Sequence, residues 1–213
     1  MVSVILAVWI SLGQRVPLVA HPAAFRERWG IRADGTRQGP GHPAPRAEWE
    51  ALGAEVILSE GPYPLGPGCW TTGFVPRQSF EGSGAPSSRG YRRAYREGAA
   101  FLDDHLEDDQ AIVAHVAGKG LVVLSGCAHR GIVNTVQRAR EISGVERVWA
   151  ILGGFHLAPA SDETIARTID AVIEIGPQMV VPSHCTGFRA IAEFARRMPE
   201  AFVLGTVGTW YFF

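Results

Sequence analysis

One pattern recurs three times in the second half of the chain. An apolar run suited to a buried strand appears as LVVLSG (121–126), RVWAILGG (147–154) and QMVVPS (178–183). Each run leads through a turn into a helical pattern, over 131–142, 161–174 and 187–197. Strands that alternate with helices predict an α/β layered domain. A hairpin is expected just upstream, with Gln110–Val116 and Leu121–Ser125 joined through Ala117-Gly118-Lys119-Gly120. Ser161 stands where it would cap the second helix, with Thr164 in its first turn.

Each unit carries a histidine just past its strand: His129, His156 and His184, spaced 27 and 28 residues apart. In layered α/β folds that edge is where ligand sites gather, so histidines distant in sequence converge there. Imidazole suits zinc, iron and manganese, and three or four ligands make a site. Gly126, Gly131, Gly153, Gly154 and Gly187 crowd the same turns and allow close backbone approach. The helices after His129 and His184 begin at this edge and predict a place for an anion. His21 follows a strand candidate, Val16–Ala20, and is a further candidate for the edge. His42, His105 and His115 read as loop or strand-face residues. Cys127 and Cys185 flank two of the three histidines, and three readings stay open for them: packing, a ligand role, or a thiol nucleophile. Thr186 is placed to cap the last helix, and Asn134 to pack or to bind substrate.

Composition excludes several classes. The 213 residues, 46% hydrophobic, suit one globular domain or two small ones and rule out disorder for most of the chain. A net charge of −1 gives no global drive toward nucleic acid or an anionic membrane. Three cysteines are too few, and odd in number, for a disulfide scaffold, so a reducing cytoplasm is the expected setting. No apolar run approaches the roughly 20 residues that span a bilayer. The 19 arginines against a single lysine are scattered and read as a composition bias rather than an anion site.

The first half is less regular. Met1–Leu12 is apolar and reads as a buried strand or helix, or as a misassigned start. A helix is expected from His21-Pro22 to near Trp29-Gly30, a loop over 31–45, a short helix over Arg46–Leu52, a strand at Glu55–Leu58, turns over 61–68 and a strand from Cys69. A polar insertion spans about 78–109. Its arginine-rich part, Gln78–Glu97, reads as a mobile lid or solvated segment, and Asp103–Asp109 as an acidic loop. Closing strands are expected near 201–204 and 207–211.

The blocks LVVLSGCAHRGIVNT (121–135), VWAILGGFHLAPAS (148–161) and MVVPSHCTG (179–187) resemble the metallo-β-lactamase-fold hydrolases. The nearest subgroup includes the dihydropterin ribofuranosyl-aminobenzene 5′-phosphate synthases. VPLVAHPAAFRERW (16–29), LGAEVILSEGPYPLGPGCWTTGFVPRQSFE (52–81) and DDQAIVAHVAGKG (108–120) agree, so the resemblance covers most of 16–213. It implies an αββα sandwich with a metal site at the upper edge of the sheets. His129 matches a ligand of the first metal and His184 a ligand of the second. Where many members carry a bridging aspartate this chain reads GGFH, which makes His156 a metal, substrate or proton-transfer residue and the catalytic candidate. Arg77, Asn134 and Thr186 are the substrate-binding candidates.

The superfamily signature His-x-His-x-Asp-His, expected upstream of VPLVAHP, does not occur in this sequence. By that pattern the N-terminal strands are missing, which suggests a fragment, a truncated gene or a mis-assigned start. The implied cofactor is a divalent metal, zinc first, with manganese, iron or magnesium as alternatives. The implied activity is metal-dependent hydrolysis of a small anionic or phosphorylated substrate, or a pterin-related synthase reaction. Two rivals stand beside it: a non-catalytic remnant or binding module, and a cysteine hydrolase using Cys127 with His129. The expected partner is a small molecule, not nucleic acid or membrane, with homo-oligomerisation left open.

Overall fold

The computed structural model describes residues 15–41, 45–82 and 90–213; the apolar start Met1–Leu12 and His42 lie outside them. In chain order the strands are β1 (Val16–Ala20), β2 (Arg28–Ile31), β3 (Arg37–Gly41), β4 (Ala54–Leu58), β5 (Tyr63–Gly66), β6 (Cys69–Thr71), β7 (Arg92–Glu97), β8 (Ala100–Asp103), β9 (Ala111–Val116), β10 (Gly120–Ser125), β11 (Val148–Gly154) and β12 (Met179–Ser183). The helices are α1 (Arg46–Ala51), α2 (Ile132–Ser143), α3 (Asp162–Ile175) and α4 (Phe188–Arg197). Two compact units divide the chain: Met1–Glu60 with Pro86–Asp108, and Gly61–Ala85 with Asp109–Phe213.

In the first unit β1 and β4 pair in parallel. A separate antiparallel sheet runs β3-β2-β7-β8. Several expectations need correction here. The helix expected from His21 is a 3-10 turn, Pro22–Phe25, and the chain then extends as β2. At Gly30 in this strand a Cβ would stand 2.8 Å from the Tyr91 ring, so only glycine leaves room for that ring. The expected loop at 31–45 contains β3, and the polar insertion expected at about 78–109 contains the β7–β8 hairpin. In β7 the small Ala94 is fully buried between the half-buried Arg93 and Tyr95, a burial that a purely polar reading of the segment overlooks. Arg28 ties this unit together, donating through Nε to Asp104 at 2.7 Å and through Nη2 to Asp108 and to the Ala23 carbonyl.

The second unit holds a six-stranded sheet in the order β12-β11-β10-β9-β6-β5. β10, β11 and β12 are mutually parallel, and β9 returns antiparallel beside β10. Alternate residues of these strands face opposite ways. Leu121, Val123, Ile151 and Val180 enter a large core with Val136, Ile169, Val172 and Phe194 of the three helices. Val122, Ala150, Leu152 and Val181 form a smaller cluster with Val203 and Tyr211. α3 begins as expected, the Ser161 hydroxyl accepting the Thr164 N–H at 3.2 Å. It ends, like α2, on a left-handed glycine, Gly176 and Gly144 respectively. The turns expected over 61–68 include β5, which pairs with β6. The closing strands expected near 201–204 and 207–211 do not form: one bridge joins Phe202 to Val180, and a turn follows at Thr206–Thr209. Among the described residues no helix is long and apolar enough to cross a membrane.

Candidate metal centre

The three parallel strands end nearly level, because Ser125 registers with Gly153 and Gly154 with Ser183. Just past these ends the backbone turns left-handed at Ala128, His156 and His184, with φ of 51°, 48° and 49°. For a residue with a Cβ that conformation costs about 1–2 kcal/mol, and such strain concentrates at functional sites. Gly153 and Gly154 let the turns close up. A Cβ on Gly153 would stand 2.1 Å from the Ser125 carbonyl oxygen, and one on Gly154 would stand 2.8 Å from the Cys185 sulfur. The Gly154 N–H donates to the Gly126 carbonyl at 3.0 Å and locks the first two turns together.

These turns bring five side chains to one edge. The rings of His129 and His156 meet with centroids 4.2 Å apart, tilted by 40°. Cys127, His184 and Cys185 place one ligand atom each within 4.8 Å of one another. The Cys185 thiol reaches the Cys127 carbonyl at 3.4 Å, and the Ala158 N–H donates to the Cys185 carbonyl at 3.1 Å. His184 is exposed, and the other four are half-buried. The Cys185 thiol is lowered to about 7, first by a hydrogen bond with the Cys127 thiol and then, against desolvation, by the backbone N–H of His156. The same thiol–thiol hydrogen bond, with burial, pushes Cys127 upward. His184 is the imidazole whose charge acts on Cys127. Sulfur and imidazole donors together fit a borderline-soft divalent ion, and this Cys/His group is able to hold one.

Asp109 also belongs here, and it was hidden in the acidic run 103–109. It precedes β9, whose Ala111 registers with Ser125 at the end of β10. Its Oδ2 accepts the Arg130 N–H at 3.0 Å, next to His129, and its charge acts on Cys185. The only signal in the sequence was its position at the mouth of the β9–β10 hairpin. Arg130 itself is buried, its Nε donating to the Val75 carbonyl and its guanidinium 4.4 Å over the Phe74 ring.

The remaining candidates fall in different places. Asn134 is buried, with Oδ1 accepting the N–H groups of Gln78 (2.9 Å) and Ser79 (2.7 Å) and Nδ2 donating to the Arg130 carbonyl at 2.6 Å. Its amide is thus committed to the backbone. Thr186 does not cap α4, whose N-cap is Gly187 without a side-chain bond. Its buried hydroxyl instead accepts the Phe155 N–H at 3.0 Å and donates to the Ser183 carbonyl at 2.7 Å, joining the second and third turns. Arg77 is half-buried in the stretch after β6. The N-terminus of α2, expected to be open to an anion, already holds one. The Glu81 carboxylate accepts the Val133 N–H at 2.8 Å, and a Cβ on Gly131 would stand 2.4 Å from it. Burial holds the Glu81 carboxyl above its ordinary range, with the helix N–H groups pulling the other way. In the first unit His21 is buried and its Nδ1 accepts the Ala23 N–H at 3.1 Å, so that ring nitrogen serves as the cap of the 3-10 turn.

The chain has the metallo-β-lactamase fold and resembles proteins of that superfamily. A solved metal-dependent hydrolase of the β-lactamase superfamily superposes with a TM-score of 0.74 at 25% identity, over 92% of this chain and 70% of the other. The chain is 33% identical over 195 residues to the 7,8-dihydropterin-6-methyl-4-(β-D-ribofuranosyl)-aminobenzene-5′-phosphate synthase of Methanocaldococcus jannaschii, covering 90% of this chain and 64% of that enzyme. It is 28% identical over 197 residues to an uncharacterised protein of the same archaeon, covering 66% of it. The chain thus spans about two thirds of the length of these curated relatives. No family model matches it.

Proposed function

We propose that this chain builds the metal centre of a metallo-β-lactamase-type enzyme that acts on a small anionic substrate of the phosphorylated pterin class. The observation that carries this reading is the convergence, past three adjacent strand ends, of His129, His156 and His184 with two thiols on strained backbone. The name of the archaeal relative supports the pterin class, and the structural relative, itself a metal-dependent hydrolase, supports metal-dependent hydrolysis. His129 and His184 are the metal ligands in this reading, and zinc is the ion best matched to the donors. When bound, a divalent ion supplies Lewis acidity toward a phosphoryl or carbonyl oxygen and activation of water.

The chain's own residues do the rest. His156, beside His129, holds or moves a proton on the substrate side. Asp109 steadies the turn that carries His129 by accepting the Arg130 N–H. Arg77 and the uncapped N-terminus of α4 supply positive potential for an anion, since α2 is closed by Glu81. The test is metal analysis of the purified protein beside His129→Ala and His184→Ala. Bound metal in the parent and loss in both variants supports the reading, and unchanged content in both variants overturns it.

A further inference from the structure

We propose that sulfur joins imidazole in holding the ion: Cys127 and Cys185 ligate alongside His184, forming a thiolate-rich centre for a thiophilic divalent cation. This rests on the metal reading above and names the ligand chemistry of the same edge. The three donor atoms already lie within 4.8 Å of one another. Around a tetrahedral ion with metal–sulfur bonds of about 2.3 Å and metal–nitrogen bonds of about 2.0 Å, such donors stand roughly 3.3–3.8 Å apart. Closing the group onto an ion therefore takes an inward shift of about 1 Å, within the reach of a side-chain rotation.

The backbone is arranged around the sulfurs. Cys127 and Cys185 follow different strands, 58 positions apart, and the Cys185 thiol is tied to the Cys127 carbonyl. Gly154 leaves the room: a Cβ there would stand 2.8 Å from the Cys185 sulfur and 3.1 Å from the Cys127 Cα. Neither cysteine is in a disulfide. His184 is exposed, so the group is reachable from solvent. Charge also balances, because two thiolates and a neutral imidazole cancel a dication. Each thiol loses its proton as its metal–sulfur bond forms, so binding releases two protons to solvent per ion.

The experiment is titration of the metal-free full chain with cobalt(II), followed by absorption and by proton release. The expected result is a sulfur-to-cobalt charge-transfer band in the near ultraviolet, saturating at one ion per chain. The band persists in Cys69→Ser, falls by about half in Cys127→Ser or in Cys185→Ser, and vanishes in the double variant. Cobalt bound with visible ligand-field bands but no charge-transfer band overturns sulfur ligation and leaves the histidine reading standing. No cobalt bound by either readout overturns both. The parent spectrum alone separates these outcomes, so the result does not depend on every variant folding.

Discussion

The imidazole rings of His129 and His156 lie 4.2 Å apart between centroids, although they come from turns after two different strands. The contact exists because β10 and β11 are adjacent, parallel and level at Ser125 and Gly153. His156 and Ala128, the residue before His129, both adopt left-handed backbone. The two rings thus come from turns held by the same carbonyl-to-N–H tie between Gly126 and Gly154.

His129→Ala and His184→Ala are expected to weaken metal binding at least about 100-fold, more than the loss of an outer partner would. His156→Ala, which removes a ring beside a ligand, should keep the metal at parent stoichiometry. Elemental analysis after dialysis against a weak chelator distinguishes the three. Loss of metal in His156→Ala alone would reassign the ligand set.

Glu81 predicts a pH effect of definite sign. Its carboxyl is held above its ordinary value of 4.5, chiefly by burial. The folded state therefore favours the protonated form. The associated stability is fully present below about 4.5 and is lost as pH rises through the raised folded value. Glu81→Gln should flatten this part of the stability profile. Urea midpoints measured from pH 4 to 8 for parent and variant check it, and parallel profiles would contradict it.

Gly153→Ala should destabilise the chain by about 2–4 kcal/mol, from a φ of 114° combined with overlap of its Cβ on the Ser125 carbonyl. Gly144→Ala, at a left-handed helix end with open space around it, should cost only about 1 kcal/mol. Denaturant unfolding of both variants tests whether crowding at the strand edge, rather than backbone conformation alone, requires Gly153.

Asn134→Ala should cost about 1–3 kcal/mol, because it leaves the N–H groups of Gln78 and Ser79 without their side-chain acceptor. Metal content should be unchanged. A variant with parent stability and impaired substrate binding would instead return Asn134 to the substrate-binding residues.

Removing Arg28 should damage the first unit. Arg28→Met strips the cation from Asp104, whose side chain is almost wholly buried and keeps only the Leu106 N–H, and breaking such a buried pair costs about 3–5 kcal/mol. Limited proteolysis in the region of 92–108 should accelerate strongly in this variant.

Much of the second unit was legible in the sequence, for a local reason. Period-two and helical patterns and the Ser161 cap all act over a few residues, so β9 to β12 and α2 to α4 appear nearly where expected. The first unit was harder to read. β2, β3, β7 and β8 are short, rich in arginine and glycine, and stabilised by one another, so their residues carry little strand signal alone. Arg28 reaches Asp104 from 76 positions away, a pairing that no local window contains.

The amino-acid sequence by itself determined the three strand–turn–helix units and the place of one histidine in each, because both follow from short-range periodicity. Only the tertiary structure decided which of the other groups meet them. Strand order and register bring Cys185 to Cys127, set Asp109 beside the turn of His129, and let Glu81 occupy the N-terminus of α2 before any external anion does. Those encounters depend on parallel strands ending level, a property of the assembled sheet and not of any one segment.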